Sequence, residues 1–197
     1  MSAGINRMSI GRRSFACLVL PALASACSSS DPALYTLQVK PGPEFPRSPP
    51  IVQVRDIGLA RYLDRREIVR SSADYKLGVS NNDWWGEQLA GMLNRVIVLG
   101  LSQRLPSSTV YGEGGAISAD PNAVLAVNIQ RLEPDASGAN VELLAQAAVE
   151  FNRPRRTANR SFRIAKPLPA RTVAGQVAAT SDAIGELTDG LAALLAR

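Results

Sequence analysis

The sequence predicts an α/β fold of the α+β kind: a mixed, largely antiparallel sheet with two main helices packed on one face, in a single domain. Three observations carry this. Runs such as Leu34–Val39 and Ala123–Leu132 alternate apolar and polar residues with period two, as half-buried strands do. Two stretches, from about Asp83 to Arg104 and from about Thr172 to Ala196, place apolar residues at helical spacing instead. The segment Pro134-Asp135-Ala136-Ser137-Gly138 is turn chemistry between two long alternating runs, which predicts an antiparallel hairpin.

Taken in order, Leu34–Val39 is the first strand. Residues 41–50 carry five prolines and exclude a regular element. Ile51–Val54 is a second strand. Tyr62–Arg66 reads as a turn into a third, Glu67–Arg70, with Tyr75–Val79 pairing back on it as a hairpin. The period then changes: Trp85, Leu89, Met92, Leu93, Val96, Ile97 and Leu101 form one apolar stripe, with Asn82 or Asp83 as N-cap and Pro106 ending the helix near Arg104 or Leu105. Ser108–Tyr111 is a short strand, Ala123–Leu132 and Val141–Phe151 are long ones, and Arg160–Ala165 is the last. The final helix keeps Val177, Ile184, Leu187, Leu191 and Leu194 on one face. The order β-β-β-β-α-β-β-β-β-α has no internal repeat.

The first 26 residues read as an export signal. Arg7, Arg12 and Arg13 precede an apolar run from Phe15 to Ala26 that is broken by Pro21. A run of about a dozen residues falls short of the roughly 20 needed to span a bilayer core, and suits a signal h-region. Leu23-Ala24-Ser25-Ala26-Cys27 fits a lipobox, with cleavage before Cys27 and lipidation of its thiol. An ordinary secretion signal cut after Ala24-Ser25-Ala26 is the rival reading. Gly11-Arg12-Arg13-Ser14-Phe15 also fits a twin-arginine signal, so the export route stays open. Ser28 follows the cysteine; the rule that Asp there retains lipoproteins in the inner membrane sends this one to the outer membrane. The organisation expected is a signal peptide over 1–26, a tether over 27–33 and one domain over 34–197, lipid-anchored at the periplasmic face of the envelope.

Composition narrows the chemistry. The whole chain has 22 basic and 17 acidic residues, and three of the basic ones lie in the signal, which leaves 19 against 17. The basic excess is therefore mostly the signal's, and nucleic acid is not expected as a partner. There is no histidine, and the only cysteines are Cys17 and Cys27. Histidine-dependent nucleophilic catalysis and the usual zinc sites are excluded. Gly112-Glu113-Gly114-Gly115 lacks the lysine of a phosphate loop and reads as a turn. No catalytic residue, cofactor or metal ligand is assigned.

Three constellations remain. Arg153, Arg155, Arg156, Arg160 and Arg163 crowd one connection and the strand after it, and read as a solvated hairpin loop or as a patch for acidic headgroups or an acidic partner. Trp84 and Trp85 open the first helix; sharing the stripe, Trp85 belongs to the core, and Trp84 is a candidate interface residue. Asp64 and Glu87 are expected to pair with neighbouring arginines rather than with each other. An envelope hydrolase acting through those two carboxylates is the remaining catalytic alternative.

The lipobox, Tyr35-Thr36-Leu37, Ile51–Val54, Tyr62-Leu63-Asp64-Arg65-Arg66-Glu67-Ile68-Val69 and Trp85-Gly86-Glu87-Gln88-Leu89 together resemble the ABC-type transport auxiliary lipoproteins, the PqiC-like components of MCE transport systems. The likeness runs by motif to about Tyr111 and by element order to the C-terminus. Arg66 and Gln88 stand where that family has proline. The resemblance implies a non-enzymatic lipoprotein working with an MCE-domain protein, a permease and an ATPase to move lipids across the envelope. It marks Cys27 as the anchor and Leu63 to Arg65 and Trp85 to Leu89 as signature positions, either structural or contact residues. With Trp84, the residues Leu63, Asp64, Arg65, Trp85 and Glu87 make up the candidate partner surface. Self-association into a homo-oligomer is left open. The alternative is a binding module that captures a small apolar ligand or peptide, which predicts a large apolar pocket between sheet and helices.

Overall fold

Alternation along the longest strands already says which side of the sheet is inside. In β7 (Ala123–Pro134) Ala123, Leu125, Val127 and Ile129 are buried, while Asn128 and Gln130 are exposed. In β8 (Asn140–Asn152) Val141, Leu143, Ala145, Ala147, Val149 and Phe151 are buried on the same side. The computed structural model describes residues 31–196, apart from 73 and 118. The export signal, Cys27 and most of the tether lie outside the described residues.

The remaining elements are β1 (Ala33–Tyr35), β2 (Ile51–Val54), the two-residue β3 (Gly58–Leu59), a 3₁₀ turn over Arg61–Leu63, β4 (Glu67–Ser71), β5 (Gly78–Trp85), α1 (Leu89–Arg104), β6 (Thr109–Gly112), β9 (Arg155–Pro167) and α2 (Val173–Leu195). They form two sheets. The larger has six strands in the order β6-β2-β7-β8-β9, with β3 also on β7. Its β7–β8 and β8–β9 pairs are long and antiparallel, and its β2–β6, β2–β7 and β3–β7 pairs are parallel. The smaller sheet, β1-β5-β4, pairs β1 parallel and β4 antiparallel to β5.

Both helices cover the same face of the larger sheet. The row Gly112, Val54, Leu125 faces α1, since a Cβ at Gly112 would press on Asn94 and approach Val98. The row Ile129, Ala145, Phe162 faces α2, where Gly190 leaves room for the Phe162 ring. The predicted class is the observed one. α2 starts where its sequence says: Thr172 caps it, its hydroxyl accepting from the Gly175 N–H at 3.1 Å. Buried hydroxyls on α2 find partners one turn back, Ser181 on the Val177 carbonyl (3.0 Å) and Thr188 on that of Ile184 (2.7 Å).

Five expectations are corrected. The first helix begins at Leu89, six residues later than expected, because Gly78–Trp85 pairs on both sides as the middle strand of the smaller sheet. Asp83 is no cap; one of its oxygens accepts from the Tyr35 hydroxyl at 2.9 Å and the other from Ser80. Tyr75 lies outside the strand, at the turn of the β4–β5 hairpin. The first strand ends at Tyr35, after which the chain leaves the sheet and straps over both helices. There the Leu37 N–H meets Met92 Sδ at 3.2 Å and the Gln38 N–H meets Ser181 Oγ at 3.2 Å. Finally, the arginine-rich segment is strand from Arg155 onward, so that only Arg153 of that group sits in the connection.

Candidate functional site

The two segments singled out in the sequence meet in space. The Trp85 N–H donates to the Arg66 carbonyl at 2.8 Å, Glu67 is in register with Trp84, and the Gly86 N–H donates to the Tyr35 carbonyl at 2.8 Å. Leu63, in the 3₁₀ turn, and Trp85 are both core residues. Asp64 and Glu87 are exposed, and Trp84 and Arg65 are half-buried. The six residues expected to form a partner surface thus divide into two that build the scaffold and a fringe of four.

Within the fringe, Arg66 lies over the Trp84 ring with its guanidinium carbon 5.8 Å from the centroid, a cation–π contact. The Trp84 indole N–H and Arg65 Nε are buried without a hydrogen-bond partner. Glu87 accepts from Arg95 Nε at 3.2 Å, an exposed ion pair of the kind expected for it, while Asp64 is in none of the described ion pairs. No group of three or more acidic or thiol side chains is placed to hold a metal among the described residues.

Two polar clusters escaped sequence reasoning. Glu133 has no exposed surface, yet its carboxylate accepts from Tyr62 (2.6 Å) and Ser72 (2.6 Å) and lies 3.0 Å from Arg131 Nε. Burial, and then the bond to Glu133, raise the Tyr62 phenol above its ordinary value. Tyr62 thereby bolts the 3₁₀ turn onto β7, which gives the Tyr-Leu-Asp-Arg segment a structural role. Arg104 is 1% exposed and ties together three chain segments: its Nε donates to Asp189 on α2 at 2.6 Å, and its other nitrogens reach the carbonyls of Lys40 (3.1 Å), Gly100 (3.0 Å) and Gly185 (3.2 Å). Gly42 is needed here, because a Cβ would collide with Asp189 and the guanidinium. An arginine in the last turn of a helix is an ordinary dipole partner, so no sequence signal set it apart.

The arginines of β9 are arranged rather than merely solvated. Arg156 lies 3.6 Å above the Phe151 ring and Arg160 5.0 Å above Phe162, both on the helix side of the sheet edge. The interior between sheet and helices is filled: Leu125, Leu143, Val149, Ile184, Leu187 and Leu191 have no exposure. A concavity of about 660 Å³ does exist, but on the open face, lined by Ala126, Asn128, Gln146, Ala148, Asn159 and Ser161 among others. No helix among the described residues is long and apolar enough to cross a membrane.

These features define a mixed α/β domain whose signature segments build the scaffold and leave a charged and aromatic fringe outside. Residues 35–192 match the model of the ABC-type transport auxiliary lipoprotein component, and the chain belongs to that family. The match begins in β1 and ends within α2, and so extends well past Tyr111, where the recognisable motifs stop. Among solved structures the fold is similar to that of protein XCC0632 from Xanthomonas campestris, at TM-score 0.66 and 21% identity, over 81% of this chain and 92% of that one. It is also similar to the crystal structure of an uncharacterized protein, at TM-score 0.69 and 16% identity, over 83% and 98% of the two chains. At these identities the likeness is one of fold. Among curated proteins no sequence matches significantly.

Proposed function

We propose that the protein is a non-enzymatic adaptor, anchored through lipid on Cys27 at the periplasmic face of the outer membrane. There it docks an MCE-type assembly with its permease and ATPase, and that assembly moves lipids across the envelope. The observation that carries this reading is the family match from Tyr35 to residue 192, which takes in the sheets and both helices and starts eight residues after Cys27. The filled interior supports it as well, since an adaptor needs a rigid body and a recognisable outside rather than a chamber. The Arg66–Trp84 stack, Asp64 and Glu87 form the surface offered to the partner.

Cross-linking in envelope membranes followed by affinity purification of the acylated protein tests this. Recovery of an MCE protein, a permease and an ATPase is expected, and Trp84→Ala with Arg66→Ala should reduce that recovery severalfold while the protein stays in the membrane fraction. Recovery of none of the three sinks the proposal. Cys27→Ser should move the protein to the soluble fraction; if it stays with membranes, the anchor is elsewhere.

A further inference from the structure

Among the described residues five large apolar side chains are exposed, and three of them, Leu34, Tyr75 and Leu77, belong to the smaller sheet or its hairpin turn. β1 runs parallel to β5 with Ala33 opposite Asp83, so the chain entering β1 arrives from the end where β5 begins. At that end the Asn82 side-chain amide lies 3.5 Å from the Asp31 carbonyl. β5 is bulged against β4, whose Glu67–Ser71 runs beside Gly78–Trp84, so Gly78 lies less than about 13 Å beyond Asn82, and the tip Asp74–Leu77 lies beyond Gly78. From Asp31 back to Cys27 is four residues, at most about 14 Å of chain. The hairpin therefore projects from the same end of the sheet as the tether, and by about as much as the tether can span.

The tip is built at a conformational penalty. Asp74 and Tyr75 both have left-handed backbones, φ 53° and 58°, which bulky side chains rarely adopt. Among the described residues nothing covers the Tyr75 side chain, which is fully exposed, and Leu77 is 38% exposed. Strain held without an internal contact points to a contact outside. A phenol suits the headgroup level of a bilayer, with its ring among the upper acyl carbons and its hydroxyl in water. Lys76, exposed between the two, adds a cation for lipid phosphate. Leu34, in register with Trp84 in the same sheet, is 67% exposed.

We propose that the β4–β5 tip dips Tyr75 and Leu77 into the headgroup region of the bilayer that holds Cys27. A single flexible acyl tether then becomes a two-point attachment, and the domain meets its partner in one orientation. This rests on the anchor reading above. With Cys17 removed and Cys27 acylated, Lys76→Cys carries the one free thiol of the mature chain. That protein, labelled with an environment-sensitive fluorophore, is reconstituted in phosphatidylethanolamine–phosphatidylglycerol vesicles containing a lipid with a nitroxide on its headgroup. Arg153→Cys, at the turn between β8 and β9, serves as the distant control. Emission from the tip label is expected to fall roughly threefold while the control is unchanged, and Tyr75→Ser with Leu77→Ser should restore most of it.

A tip label as bright as the control overturns the proposal, as does equal quenching at both positions. Shielding that needs added envelope protein makes the tip a protein contact and overturns it too. Intact mass and flotation separate the failures. An acylated, floating protein with a bright tip defeats this proposal alone, whereas a chain that carries no lipid defeats both.

Discussion

In the larger sheet Leu125, Leu143 and Val149 have no exposure and lie under two helices, whereas in the smaller sheet Leu34 is 67% exposed and the neighbouring turn holds Tyr75 clear of the protein. The same contrast holds for charge. Arg104 and Glu133 are enclosed and multiply bonded, while Glu87 and Arg95 pair in open water. The smaller sheet buries Ile68, Val69 and Trp85 as well, but it also leaves large side chains outside, which the strands under the helices do not. The proposed membrane and partner contacts would both draw on the exposed part and leave the enclosed part intact.

The contrast breaks most sharply at Arg104. Arg104→Ala leaves the carbonyls of Lys40 and Gly185 without their donor and opens a void between α1 and α2. A loss of about 3 kcal/mol in urea unfolding is expected; a loss no larger than that of an exposed arginine would erase the distinction between the regions.

Tyr62→Phe removes one of the bonds to buried Glu133 and should cost about 1–2 kcal/mol. It also carries a pH signature. The folded phenol sits above its ordinary value of 10.0, so its contribution is complete below that value and is lost as pH rises past it. The wild type should lose more stability than the variant between about pH 9.5 and 11.5 in parallel urea titrations. The Tyr35 phenol is raised too, by its bond to Asp83, so the variant keeps a smaller decline.

Tyr75→Gly should act in the opposite direction and raise stability by up to about 1 kcal/mol, because glycine accepts the left-handed backbone freely. A thermal midpoint that falls would show that Tyr75 has an internal role. Glu87→Gln is the mildest change. Its pair with Arg95 is exposed on both sides, and less than about 0.5 kcal/mol should be lost by the same unfolding measurement.

Much of the body was legible because long elements state their own period. The stripe Leu89, Met92, Leu93, Val96, Ile97 and Leu101 is buried as read, as is the alternation in β7 and β8. The start of α1 misled because Trp85 stands four residues before Leu89 and so falls on the helical stripe by coincidence. Tryptophan also suits a strand, and two neighbouring strands decided the matter. In the candidate surface, adjacency of the two signature segments was not readable. Trp85 is buried as its place on the stripe implies, whereas nothing in the sequence marks Leu63, a member of the candidate surface, as buried.

What the chain dictated alone was local: two periods, a last helix beginning near Thr172, turns at Pro and Gly, an amino-terminal segment with the pattern of an export signal, and an inventory without histidine. These follow from backbone sterics and side-chain pattern, which act over a few residues. Tertiary structure decided where β5 yields to α1, which arginine is buried, which carboxylate is sealed beneath Tyr62 and which apolar residues are left outside. Each of those depends on partners dozens of positions away, such as Arg104 with Asp189 or Tyr62 with Glu133. Burial and hydrogen-bond satisfaction are properties of the folded neighbourhood, and no local pattern encodes them.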